Sequence, residues 1–370
     1  MARRYKILGG ILGFVAVVLA GLALYVSHDS ACHPAQALPA DAQRMKAIVY
    51  RCYGPPAVLK LEEIARPVPN DDGVLVKVHA ASLNPLDWHY MRGTPYIMRL
   101  QAGIGAPKNS AMGVDFAGTV AAVGKNVTRF KPGDEVFGGR DGAFAEYLNV
   151  GENKALTLKP ANMTFEQAAA VPIAAITALQ ALRDKGNIRP GQKVLINGAA
   201  GGVGTFAVQI ARSYGAEVTG VCSTRNAQLV GAIGANHVID YTREDFTQGS
   251  QHYDLILDTV GNRSLSELRR VLTPAGTVVI VGGPNSGKWL GPLLPAGLVK
   301  AMLYAPFVSQ KFTFMLAELN QKDLEVLREL MQAGKLTPVI DRRYPLSEVP
   351  AAIEYLEAGH ARGKVVINLE

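Results

Sequence analysis

Residues 193–212 constrain the fold more than any other stretch of the chain. Lys193, Val194, Leu195, Ile196 and Asn197 form a short apolar run of the kind that makes a buried strand. Gly198, Ala199, Ala200, Gly201, Gly202, Val203 and Gly204 follow, and Thr205 to Arg212 continues at helical period. A strand, a glycine loop and a helix in that order set backbone N–H groups and the positive helix end against a pyrophosphate. Gly198 permits the tight turn, Gly201 the close approach of a phosphate, and Gly204 the contact between helix and strand. Ala199, Gly202 and Val203 complete the same loop.

The next strand, Glu217 to Cys222, runs into Ser223, Thr224, Arg225 and Asn226. A site for NAD places Asp or Glu at that strand end to bind the ribose 2′-hydroxyl. Hydroxyls and a guanidinium suit a 2′-phosphate instead, which a carboxylate would repel. The expected cofactor is therefore NADPH. A second glycine run, Gly282 to Lys288, resembles a nucleoside-triphosphate loop but carries Trp289 where a magnesium-binding hydroxyl belongs. No Gly-x-Ser-x-Gly elbow exists for a hydrolase nucleophile.

Strand and helix alternate from Lys193 to Val281, the pattern of a doubly wound parallel sheet in an α/β protein. Ahead of it, Thr164 to Gln167 fits a helix-capping box, with a helix expected as far as Val171 and another over Ile176–Lys185. The part from Met45 is mostly β: Lys46–Tyr50, Leu59–Ile64, Val74–His79, Val120–Val123 and Ala143–Val150, separated by Gly and Pro. It suits a compact barrel-like domain. The last sixty residues hold a helix, Asp323–Ala333, and a strand, Lys364–Asn368, that returns to one of these domains. At 370 residues the chain is long enough for two domains, or at most three. A net charge of +7 comes from scattered Lys and Arg, which argues against a nucleic-acid partner. Three cysteines, Cys32, Cys52 and Cys222, are too few for a disulfide framework or a four-cysteine zinc site.

Ile7 to Val26 is an uncharged run of twenty residues behind Arg3, Arg4 and Lys6. As a helix it spans about 30 Å, the depth of a bilayer core, so residues 7–26 are expected to be a single-pass membrane anchor in the cell membrane. The alternative is a long signal peptide that is removed. The flanking basic residues place the body outside the cytoplasm, whereas the expected cofactor is abundant inside cells, and the two lines conflict. His28, Asp29, Cys32 and His33 match no closed metal site, and the Pro- and Ala-rich stretch after them reads as a solvated linker.

The assembled motifs resemble the medium-chain dehydrogenase/reductase superfamily, in its zinc-independent quinone oxidoreductase-like branch. The resemblance rests on Ser82–Asp87, Gly113–Gly124, Pro132–Val136, the glycine loop, Asp258–Gly261 and Gly363–Lys364, and covers about residues 45–370. It implies a GroES-like catalytic domain interrupted by a Rossmann domain. The limits expected are 1–27 for the anchor, 28–44 for the linker, 45–164 with 311–370 for the catalytic domain, and 165–310 for the cofactor domain. Zinc members of the superfamily carry Gly-His-Glu where this chain has Gly113, Val114 and Asp115, and a cysteine ligand within the Ser82–Asp87 segment. No zinc is therefore expected.

By the same resemblance, Thr177 and the Val281, Gly282, Gly283 loop lie near the nicotinamide. Arg225 and Tyr241 contact the 2′-phosphate and adenosine, and Lys364 joins the cofactor set. Asn84, Asp87 and Tyr90 border the substrate, with Tyr90 a hydrogen-bond or proton donor and Asn84 a partner for a carbonyl or the carboxamide. Without a Lewis acid the acceptor must take hydride readily, as a quinone or an α,β-unsaturated carbonyl does. The apolar stretch Trp289 to Leu316 suggests a lipophilic acceptor, a membrane contact, a dimer surface or ordinary core. Family habit suggests a homodimer. The competing readings are a non-catalytic NADPH-binding redox sensor or scaffold, and a zinc-independent alcohol dehydrogenase.

Overall fold

Two sheets of opposite character organise the chain. The computed structural model describes residues 2–35, 37–282, 288 and 309–369, with side chains throughout these except at 2–13 and 16. Helix α1 (Ala2–Ser27) leads to an antiparallel pair, β1 (Arg44–Val49) and β2 (Lys60–Ala65). β3 (Gly73–Ser82) precedes α2 (Pro85–Arg92) and the short α3 (Arg99–Ala102). β4 (Asp115–Val123), β5 (Glu135–Gly139), β6 (Tyr147–Gly151) and β7 (Leu156–Leu158) come next. Two helices, α4 (Phe165–Ala169) and α5 (Pro172–Gln180), bridge to the alternating half. That half runs β8 (Lys193–Asn197), α6 (Gly202–Ser213), β9 (Glu217–Cys222), α7 (Ala227–Ala232) and β10 (His237–Asp240). It continues with β11 (Tyr253–Asp258), α8 (Leu265–Arg270), β12 (Leu272–Ile280) and β13 (Lys311–Phe314). Then follow α9 (Gln321–Gln332), β14 (Ile340–Pro345), α10 (Val349–Glu357) and β15 (Lys364–Asn368).

Six strands form a parallel sheet in the order β10–β9–β8–β11–β12–β13. The chain leaves β8 toward β9 and β10, then returns to build β11 on the other side. A crevice therefore opens at the carboxyl ends of β8 and β11, where such sheets bind ligands. Val194, Leu195, Ile196 and Asn197 are all buried, as a central strand covered on both faces requires. The sheet reaches past the expected limit at residue 310. Lys311 lies opposite Thr277 and Phe314 opposite Ile280, and the alternating aromatic side chains of β13 suit an added edge strand.

The second sheet has the order β14–β15–β3–β4–β5–β7, with β6 also paired to β3. β15 returns antiparallel to β3, as the sequence leads one to expect. Register sets what meets at the end of this sheet: Ser82 lies opposite Asp115 on one side and Val366 on the other.

Small residues weld the two sheets together. Ala168 to Val171 and Ala174 to Ala178 are buried, and they join one apolar cluster running from Phe137 and Val366 to Ile196 and Leu255. Alanine lets a helix backbone approach both sheets closely, and each larger aliphatic side chain buried around it contributes about 1.5–3 kcal/mol. The capping box at Thr164 forms as expected, Thr164 N donating to Gln167 Oε1 at 3.0 Å and Gln167 N to Thr164 Oγ1 at 3.2 Å. The second helix begins at Pro172 rather than Ile176, because a proline at the first helical position lacks only an N–H that would be unpaired anyway.

Two expectations for the amino-terminal region need correction. Residues 2–27 are helical, but among the described residues no helix is long and apolar enough to cross a membrane. The transmembrane anchor is thus not supported. Nor is the start of the linker free: Cys32 is disulfide-bonded to Cys52, with Cα atoms 4.4 Å apart. Cys222 is free and buried. The expected apolar segment from Trp289 lies outside the described residues as far as residue 308, as does Gly283.

Candidate functional site

The glycine loop sits at the carboxyl end of β8. Gly198 has φ +87°, and a Cβ there would meet Thr259 Oγ1 at 2.3 Å, so only glycine makes this turn without strain. A Cβ on Gly204 would meet Gly198 O at 2.1 Å, which is the close helix–strand contact expected of it. Gly201 is different: its Cβ would find only Gly198 O, at 3.4 Å. Gly202, Val203 and Gly204 supply the first-turn N–H donors of α6. Gly198 N and Ala199 N donate to Val221 O, which ties the loop to β9. Across the loop, Gly363 N donates to Ala200 O at 2.9 Å, so the residue before Lys364 is fastened to the cradle.

Ser223, Thr224, Arg225 and Tyr241 line one pocket beside this cradle, together with Thr242 and His360. Arg225 Nη2 donates to His360 O at 3.0 Å. The sequence reading missed Asp240. This carboxylate accepts from the Thr224 hydroxyl at 2.5 Å, which with the Thr242 hydroxyl and N–H holds it below the usual carboxylate range. Asp240 ends β10 rather than β9, so it falls outside the strand end where an acidic residue was sought.

Asn84, Asp87 and Lys364 come together beside the cradle, where a Cβ on Gly202 would meet Lys364 Cδ at 3.3 Å. Lys364 Nζ donates to Asn84 Oδ1 at 2.6 Å and Leu83 O at 2.8 Å, and lies 3.5 Å from Asp115 Oδ2. Asn84 Nδ2 donates to Asp115 Oδ2 at 2.9 Å, and Ser82 Oγ to the same oxygen at 3.2 Å. Asp115 Oδ1 accepts the N–H of Ile173 at 3.0 Å, which fixes the first turn of α5. On that helix the Thr177 hydroxyl donates to Ile173 O at 2.7 Å. Burial raises the Asp115 carboxyl and lowers the Lys364 ammonium, each against the pull of the other. Three acceptors around Nζ match the three N–H bonds of an ammonium, so the charged pair is the state that fits. The Asn84 amide therefore faces protein partners through both its oxygen and its nitrogen, where the sequence reading has it holding a carbonyl or the carboxamide.

Asp87 caps α2, its Oδ2 accepting Asn84 N at 2.7 Å. Full burial pushes it up to about 7, opposed by that N–H. Tyr90 is half-buried; burial and then Asp141 raise its hydroxyl, and no described residue hydrogen-bonds it. Tyr50 and Tyr53 were missed. Both are buried and raised chiefly by that burial, Tyr53 to about 12, and Tyr90 adds to the rise of each. The signal was present in the sequence as Tyr50 at the end of the first expected strand and Tyr53 three residues beyond it. Val281 N donates to Asp258 O, and a Cβ on Gly282 would meet Thr259 O at 2.5 Å, so this loop packs tightly on the end of β11.

Two family descriptions match the chain: an alcohol dehydrogenase GroES-like domain over residues 70–160 and a zinc-binding dehydrogenase over 233–367. The 2-methylene-furan-3-one reductase of Solanum lycopersicum is 36% identical over 339 residues, covering 88% of this chain and 79% of that protein. The quinone oxidoreductase from Coxiella burnetii superposes with a TM-score of 0.76 at 32% identity, covering 89% and 100% of the two chains. The Escherichia coli quinone oxidoreductase complexed with NADPH gives 0.74 at 26% identity, covering 88% and 100%. The chain belongs to the medium-chain dehydrogenase/reductase superfamily and is quinone oxidoreductase-like. It is an oxidoreductase, built from a GroES-like and a Rossmann-type part.

Proposed function

We propose that this oxidoreductase uses NADPH, without zinc, to reduce a quinone or an α,β-unsaturated carbonyl. The observation that carries the proposal is one strand end that joins two built surfaces, Gly363 N donating to Ala200 O and Lys364 Nζ to Asn84 Oδ1. One is the glycine cradle of α6, continued by the Ser223–Arg225 pocket. The other is the Asn84–Lys364–Asp115 network with Asp87 and Tyr90. Gly201 leaves room for a phosphate, and the α6 N–H groups supply donors for it. Arg225 supplies the cation for a 2′-phosphate, and Asp240 opposes it.

The bound cofactor would supply hydride to the acceptor's electron-poor carbon. The chain's own task is to orient the two partners and stabilise the negative charge that develops on the acceptor oxygen. Tyr90 is the assigned donor to that oxygen, because its hydroxyl is not consumed by a described neighbour. Lys364 and Asp115 hold Asn84, and through Ile173 the helix carrying Thr177, in one geometry. The same donor set argues for a zinc-free reaction. Asp115 is encircled by the Lys364 ammonium and N–H and O–H donors, surroundings that disfavour a dication. Among the described residues no group of three His, Cys, Asp or Glu is placed to hold a metal.

The test is NADPH oxidation by the full chain with chelator present, against benzoquinones, naphthoquinones and long-chain enones, with NADH in parallel. Turnover with NADPH that survives the chelator supports the reading. Tight NADPH binding with no acceptor reduced would replace it with the redox-sensor reading.

A further inference from the structure

Arg99, at the start of α3, is a buried guanidinium whose side chain is 2% exposed. Its Nε donates to Gly93 O at 2.7 Å, and Gly93 is the left-handed residue that ends α2. Its other contacts reach the last turn of α1 and the segment just after it. Nη1 donates to His28 O at 3.0 Å and Val26 O at 3.4 Å, and Nη2 lies 2.8 Å from Asp29 Oδ1. The guanidinium is stacked between Tyr53, 4.4 Å from its ring centroid, and Tyr96, at 4.6 Å.

Residues 26–33 thus form a strap across this lobe. Ser30 N donates to Gly105 O at 2.9 Å, His33 N to Arg51 O at 3.0 Å, and the Cys32–Cys52 bridge clamps the strap beside Tyr53. Tyr53 in turn donates its hydroxyl to Gly103 O at 2.7 Å. On the opposite side, Tyr96 N donates to Lys288 O at 2.6 Å, on the stretch following the Val281–Gly282 loop. Arg99 therefore joins the strap to the end of the helix bearing Asp87 and Tyr90.

We infer that Arg99 is a positioning residue for the acceptor face, and that the disulfide-clamped strap is what keeps it in place. Asp29 carries the carboxylate that balances this buried charge. Removing the strap takes away that carboxylate and two carbonyls together, leaving a buried cation with Gly93 O. Such a charge is not tolerated, so α3 and the end of α2 must rearrange. Reduction is the way to release the clamp. A dithiol gives up two electrons and two protons, becomes a disulfide itself, and leaves Cys32 and Cys52 as thiols. The inference rests on the reading that α2 borders the acceptor, but only for its kinetic consequence.

The experiment measures amide hydrogen exchange of the full chain with and without dithiothreitol, alongside a Cys32→Ser/Cys52→Ser variant. After reduction, exchange over residues 85–105 is expected to quicken about tenfold or more, with β8 and β9 unchanged. The double variant should show the fast rate with or without reductant. In parallel, reduction should raise the acceptor KM several-fold while the Kd for NADPH stays constant, and Arg99→Lys should move both readouts the same way. Unchanged exchange over 85–105, quickening spread equally through the parallel sheet, or free Cys32 and Cys52 thiols in the unreduced protein would each overturn the inference. If no acceptor is turned over, the functional reading fails while the exchange measurement still decides this one.

Discussion

Lys364 Nζ lies 2.6 Å from Asn84 Oδ1, although the two residues stand 280 positions apart in the chain. The contact joins the last strand to the cap of α2, and Gly363 ties the same strand to the glycine cradle. Replacing Lys364 by Met should therefore do more than weaken cofactor binding. It leaves Asp115 buried without its cation, and breaking a buried pair on one side costs about 3–5 kcal/mol. Urea unfolding should show that loss in Lys364→Met. The double variant Lys364→Met/Asp115→Asn should recover part of it. Equal stability of the single variant and the parent would show that the pair contributes nothing.

Much of this arrangement was legible in the sequence, and the reason is local. The glycine loop, the capping box at Thr164 and the strand Lys364–Asn368 each follow from neighbours within a few residues, so pattern alone places them. Asp240 was not legible, because its role comes from β10 lying beside β9, a relation of sheet order. The Cys32–Cys52 bridge was hidden for a similar reason: too few cysteines for a framework says nothing about one pair that a docked strap brings together. Asn84 was named, but its two polar atoms are committed by register, since only the β3–β4 and β3–β15 pairings bring Asp115 and Lys364 beside it.

Asp87 should make stability fall as pH rises. Its carboxyl sits near 3.8 when unfolded and is pushed up to about 7 by burial. The folded chain thus holds the proton more tightly, so the contribution is fully present below about 4 and lost as pH passes through 7. At about 1.4 kcal/mol per pH unit, the whole loss is on the order of 4 kcal/mol at most. Asp87→Asn keeps an oxygen to accept Asn84 N and removes the titration. Urea unfolding at pH 5 and pH 8 should show the parent losing more stability between them than the variant. A parallel decline in both would assign the dependence to other groups.

Cofactor preference should turn on Arg225 and Asp240. A hydrogen bond to a charged group contributes about 1.5–3 kcal/mol, so Arg225→Ala should raise the KM for NADPH by roughly 10- to 150-fold and leave that for NADH nearly unchanged. Asp240→Asn removes the opposing charge and should shift preference further toward NADPH. Steady-state kinetics with both cofactors checks this. A loss of NADH and NADPH binding in equal measure would mean that Arg225 reads a feature common to both.

Two glycines of the loop, Gly198 and Gly201, should respond oppositely to alanine. At Gly198 a methyl group meets Thr259 Oγ1 at 2.3 Å with φ at +87°, so Gly198→Ala should cost on the order of 1–3 kcal/mol of folding stability. At Gly201, with φ −81°, the same methyl group meets only Gly198 O at 3.4 Å, and the fold has little reason to object. What it does fill is the open side of the cradle, where a phosphate would need to approach the backbone. Gly201→Ala should therefore unfold within about 2 °C of the parent, since uncrowded sites cost under about 0.5 kcal/mol. It should nonetheless bind NADPH at least about tenfold more weakly by calorimetry, a loss of about 1.4 kcal/mol. Unchanged affinity in this variant would show that the open side of Gly201 is not where the pyrophosphate lies.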